Sequence, residues 1–88
     1  MTIVFTRHAA EKLHEKEPKR LGITKTKIEK ILLKPDEIDM ADEPVRIVMG
    51  LLDDRHTLCV IYREEKDMMH VITFFPARKG RYESKILS

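Results

Sequence analysis

The sequence predicts a single α+β domain over residues 1–88, in which two N-terminal helices pack on an antiparallel, mostly meander sheet of about four strands, in the order β-α-α-β-β-β-β. Three observations lead there. Apolar residues recur at helical spacing only before Pro35, and alternate at strand spacing from Glu37 onward. Polar clusters at Asp53-Asp54-Arg55-His56 and Glu64-Glu65-Lys66-Asp67 separate the alternating runs, as hairpin turns do. A length of 88 residues with 42% apolar and 36% charged side chains suits one small core and leaves no room for a second.

The elements follow in chain order. Ile3-Val4-Phe5 reads as a short strand placed at a sheet edge. Thr6 is placed to cap a first helix, with Ala9 and Leu13 on its buried side, Ala10 and the stems of Lys12 and Lys16 widening a thin apolar stripe, and Pro18 closing it. Gly22-Ile23-Thr24 opens a second helix: Thr24 caps it, Ile23 and Ile28 form a hydrophobic staple, and Ile31 and Leu32 continue the buried stripe until Pro35. Lys25, Lys27, Lys30 and Lys34 fall on the other side.

Ile38 and Met40 suggest a short strand before the acidic connection Asp42-Glu43-Pro44. In the next strand Val45, Ile47, Met49 and Leu51 form an apolar face and Arg46, Val48, Gly50 and Leu52 a mixed one, as in a strand covered on one side. Leu58 through Tyr62 and His70 through Phe75 complete the meander, with Pro76 as its stop.

Composition narrows the setting. The N-terminal apolar stretch is too short for a signal-peptide core and no run approaches the roughly 18 residues of a membrane span, so a cytoplasmic protein is expected. The lone Cys59 sits among Leu58, Val60 and Ile61 as a small core hydrophobe. Asn, Gln and Trp are absent while Lys and Glu abound, the pattern of heat-adapted proteins. A thermal melt is therefore expected to show a midpoint above the roughly 45–65 °C of mesophilic domains, and a midpoint inside that range would refute a thermophilic origin.

The net charge of +2 hides a segregation. Residues 1–34 carry nine Lys/Arg against four Asp/Glu, residues 35–55 two against seven, residues 56–77 two against three, and residues 78–88 four against one. If the basic ends meet, they make a face suited to phosphates; the alternative is a mixed, solvated surface.

Nucleotide-cofactor loops, paired-cysteine metal motifs and serine elbows are missing from a chain with three glycines and one cysteine, so neither a cofactor nor a metal is expected. His8 and His14, six apart, do not share a helix face. His56 lies in a turn as a solvated residue, and His70 shares a strand face with Ile72 and Phe74, where a hydrogen bond at the sheet edge satisfies it. His8 differs, because it stands in the first turn of a basic helix. The densest signal is Pro76-Ala77-Arg78-Lys79-Gly80-Arg81-Tyr82-Glu83, three cations and a phenol directly after a strand. RNA cleavage at a 2′-hydroxyl needs a base, an acid and cations for the charged phosphorane, roles that Arg, Lys, Tyr and Glu can fill without a metal. The competing account of the same segment is a basic tail that adds solubility. Tyr62 and Tyr82 are the aromatic residues left to stack bases once Phe5, Phe74 and Phe75 are assigned to the core.

Thr6-Arg7-His8-Ala9, Gly22-Ile23-Thr24 leading into Ile28-x-x-Ile31-Leu32, Pro35-Asp36-Glu37, and Val71-Ile72-Thr73-Phe74-Phe75-Pro76-Ala77-Arg78 with Arg81-Tyr82-Glu83 resemble, in that order and over nearly the whole chain, a family of short proteins related to BrnT-type and RelE/ParE-type toxins. The resemblance implies two helices against an antiparallel sheet, RNA bound across the exposed sheet face and its basic flanks, metal-independent RNA cleavage, and a cognate antitoxin protein as partner. It carries over His8, Arg78, Arg81 and Tyr82 as catalytic positions. Glu83 joins them as a candidate base, and Lys12, Lys79, Lys85 and Tyr62 as RNA contacts. At the C-terminal pattern the spacing departs from the BrnT form, and Phe75-Pro76 stand in place of its polar residues. The other class of function open to this chain is a non-catalytic nucleic-acid-binding or protein-interaction module.

Overall fold

The computed structural model describes residues 2–39 and 44–78. Strand β1 (Thr2–Phe5) leads into three helices, α1 (Arg7–Lys12), α2 (Lys16–Arg20) and α3 (Lys25–Leu33), followed by β2 (Glu37–Asp39), β3 (Val45–Leu51), β4 (His56–Glu65) and β5 (Met68–Arg78). The strands form one five-stranded sheet in the order β1-β5-β4-β3-β2. The class is α+β as expected, with five strands and three helices in place of about four and two. The sheet is also mixed: β2 to β5 pair antiparallel, and β1 lies parallel to β5 with Thr2 opposite Met68 and Phe5 opposite Val71.

The single expected N-terminal helix is two. Thr6 caps α1 as foreseen, its Oγ1 accepting from the Ala9 amide at 3.2 Å and donating to the Ile72 carbonyl at 3.2 Å. The helix then ends by tightening, with the His14 and Glu15 amides bonding three residues back. Pro18 does not close α1. It is the third residue of α2, where its missing amide would have had no partner anyway, whereas a continuous helix would press its ring on the carbonyl of His14. α3 obeys its sequence signals: Thr24 Oγ1 accepts from the Lys27 amide at 3.1 Å, and Ile23 and Ile28 are both buried. Burying a side chain such as Ile28 stabilises by roughly 1.5–3 kcal/mol, so the stripe, not helix propensity, holds this nine-residue segment.

The alternation along β3 is present, and the helices cover its mixed side. Val48 belongs to the core with Ile28, Ile31 and Leu32, and Gly50 faces Ile31, so the mixed face meets the helices. The reason is close approach: a Cβ at Gly50 would lie 2.6 Å from Ile31 Cγ1, so glycine admits the α3 side chain against the sheet backbone. Opposite, Ile47 pairs with Ile61 and Met49 with Cys59, outside that core cluster, and Met49 and Cys59 are buried as well.

β5 is longer than its sequence signals suggest. Pro76 lies inside it, opposite Leu58; β1 ends opposite Val71, so β5 has an open edge there and a proline is tolerated. A bulge breaks the β4–β5 register, with Ile61 opposite Thr73 but Tyr62 opposite Val71. It puts Val71 and Phe74, three apart, on the same buried side and separates His70 from Phe74, two residues that strict alternation had joined. No described helix is long and apolar enough to cross a membrane.

Candidate nucleic-acid interface

The first polar cluster forms where β5 meets α1. Thr73 turns its hydroxyl to α1, where Lys12 Nζ donates to Thr73 Oγ1 at 3.3 Å and His8 Nε2 lies 3.4 Å from the same oxygen. His8 and Lys12 are four apart on α1, so one helix face presents both. The Lys12 ammonium also stands 5.3 Å from the centre of the Phe74 ring, a cation–π contact that holds the charge in place over the core. An imidazole and an ammonium thus converge on one hydroxyl, an arrangement that can hold a phosphate oxygen and exchange a proton with its surroundings.

A second cluster forms at the far end of the same strand. Arg78 is exposed and lies across the ladder from His56. The His56 ring is held by the turn: Nδ1 lies 2.9 and 3.1 Å from the two carboxylate oxygens of Asp53, which also accepts the Arg55 and His56 amides at 2.8 Å. The Arg55 amide first, and then the His56 ring, hold the Asp53 carboxyl below the usual aspartate value, so it stays ionised into more acidic solution. The sequence reading passed over this pair as a solvated turn. Its signal was Asp53-x-x-His56, a carboxylate three residues before an imidazole in a tight connection.

Among the expected site residues, the fold joins His8 with Lys12 and places Arg78 apart from them. Thr73 and Arg78 are five residues apart on β5, about 16 Å at roughly 3.3 Å per residue. His8 and Arg78 therefore cannot share one reacting phosphate. Tyr62 is corrected outright: it is 4% exposed within the core cluster beneath the helices, so its ring is closed to base stacking. Lys79, Arg81, Tyr82, Glu83 and Lys85 lie outside the described residues and follow Arg78 in the chain.

Charge distinguishes the two sides of the sheet. Lys16, Lys19, Arg20, Lys25, Lys30 and Lys34 are exposed on or beside the helices. The other face carries Ile47, Met49, Cys59 and Ile61, of which Met49 and Cys59 are buried, and Glu37 and Asp39 of β2 lie opposite Met49 and Ile47 at its margin. Closed at its centre and edged by carboxylates, that face is the poorer surface for a phosphate chain, and the cations of the helices make the better one. Among the described residues no three His, Cys, Asp or Glu side chains are grouped to hold a metal ion. Comparison with protein-family models, with curated proteins and with solved structures finds no match to this chain.

Proposed function

We propose that this protein is a metal-independent, toxin-type ribonuclease that takes RNA along β5. The observation that carries the reading is the convergence of His8 and Lys12 on Thr73 Oγ1, on the strand whose end presents Arg78 and leads into Lys79, Arg81 and Lys85. Cations at the middle and at the end of one strand suit a polyanion that runs between them. The reading keeps Arg81 and Tyr82 as the resemblance assigns them and Glu83 as a candidate base, and an antitoxin protein that covers the site belongs to it.

Incubation with structured and unstructured RNA in EDTA tests it. Wild type is expected to cleave, and Arg81→Ala or Tyr82→Ala to abolish cleavage with an unchanged melting transition. Lys12→Ala is expected to weaken RNA binding and to lower the slope of log affinity against log salt by about one. Binding with a steep salt dependence and no cleavage would leave a non-catalytic nucleic-acid-binding module; a flat salt dependence would end both readings.

A further inference from the structure

His56 is the one histidine of the described residues whose ring is gripped by a carboxylate through two short contacts, 2.9 and 3.1 Å from Asp53. The grip takes up Nδ1 and leaves Nε2 as the nitrogen available for proton exchange, the division of labour by which an orienting carboxylate prepares a general base. His56 and Arg78 are register partners in an antiparallel ladder, so their Cβ atoms stand about 4.5–5.5 Å apart on the same face. A base with its orienting group and a guanidinium thus meet at one strand end, where the basic segment begins. The turn itself is anchored: the Leu52 and Asp53 amides both bond the His56 carbonyl, at 3.0 and 3.2 Å.

We propose that His56, oriented by Asp53 and faced by Arg78, is the proton-transfer residue of the RNA-cleaving site; this rests on the ribonuclease reading above. Nε2 takes the proton of a ribose 2′-hydroxyl, the 2′-oxygen attacks the adjoining phosphorus, and the bond from phosphorus to the 5′-oxygen breaks. The departing oxygen takes a proton from water, and the imidazolium returns its own to solvent. The products are a 2′,3′-cyclic phosphate and a free 5′-hydroxyl. Arg78 takes the nonbridging oxygens as charge builds on them. The charged groups around the ring are Asp53, Asp54 and Arg55 of the turn, Arg78 across the ladder, and Asp36, whose carboxylate accepts the Leu51 amide at 3.1 Å at the same end of β3. His8, about 16 Å along the strand, then serves as a phosphate contact and not as the base.

The test compares full-length wild type, His56→Gln, His56→Gly and Asp53→Asn on one single-stranded RNA oligonucleotide in EDTA, with products identified by their ends. His56→Gln is expected to lower the cleavage rate by about 10²–10⁴-fold while RNA affinity stays within about twofold. Added imidazole is expected to restore part of the His56→Gly rate, which a purely structural role would not allow. Asp53→Asn is expected to lower the cleavage rate while RNA affinity stays within about twofold, because the ring loses the carboxylate that orients it. Cleavage by wild type with an undiminished rate in His56→Gln overturns this assignment and leaves the ribonuclease reading standing. Failure of wild type to cleave any RNA overturns both.

Discussion

Replacing Phe74 with alanine is expected to cost about 3–5 kcal/mol of folding stability, the largest loss of any single core truncation in this chain. Phe74 is fully buried and sits where the bulge in β5 turns it to the helices, opposite Val60 and among the residues of the main core. A domain of this size has roughly 5–15 kcal/mol in total, so the variant loses a large share of it. Urea unfolding monitored by circular dichroism measures the effect through the fall in midpoint at constant slope. A change below about 1 kcal/mol would mean that the ring is not the centre of the core. The substitution has a second consequence, because the Lys12 ammonium rests 5.3 Å above the ring. Phe74→Leu retains most of the apolar volume and removes the ring, so comparing the two variants separates packing from the placement of the cation.

Gly50→Val is expected to destabilise by about 1–3 kcal/mol through overpacking. The added Cβ would stand 2.6 Å from Ile31 Cγ1, 3.0 Å from Cγ2 and 3.1 Å from Cδ1, and Ile31 is itself buried on α3. Either the Ile31 side chain leaves its rotamer or α3 lifts from the sheet. A double-mutant cycle decides whether this contact is the cause: Gly50→Ala combined with Ile31→Val should cost less than the sum of the two single changes. Additive costs would point away from the helix and toward the strand backbone. Gly50 lies opposite Leu58, which lies opposite Pro76, two residues from His56 and Arg78 on their strands, so RNA cleavage by Gly50→Ala is to be measured beside its stability.

Much of the architecture was legible because it depends on local signals. Thr6 and Thr24 are caps in the sequence and caps in the fold, since a side-chain oxygen ahead of a helix satisfies amides only three residues away. The two hairpins joining β3 to β4 and β4 to β5 follow from polar clusters between alternating apolar runs. Pro18 misled because the same residue ends one helix or enters the first turn of the next, and local sequence does not distinguish the two. His8 was recognisable in the first turn of a short basic helix and Lys12 as a residue of the same helix; their meeting at Thr73 was not, since it joins residues more than 60 positions apart.

By itself, the sequence determined the class of fold, the caps, the hairpin turns and the segregation of charge, all of which depend on neighbours within a few residues. Tertiary structure alone decided which side of β3 meets the helices, because one glycine and the reach of Ile31 outweigh a longer row of apolar side chains. It also decided that β1 runs parallel to β5, that Tyr62 is closed to solvent, and that Thr73 meets Lys12 and His8 of α1. Each of these rests on contact between segments distant in the chain, where a one-residue change of register turns a side chain from core to surface. The pairing of Asp53 with His56 lies between the two, local in sequence yet placed opposite Arg78 only by the register of the sheet.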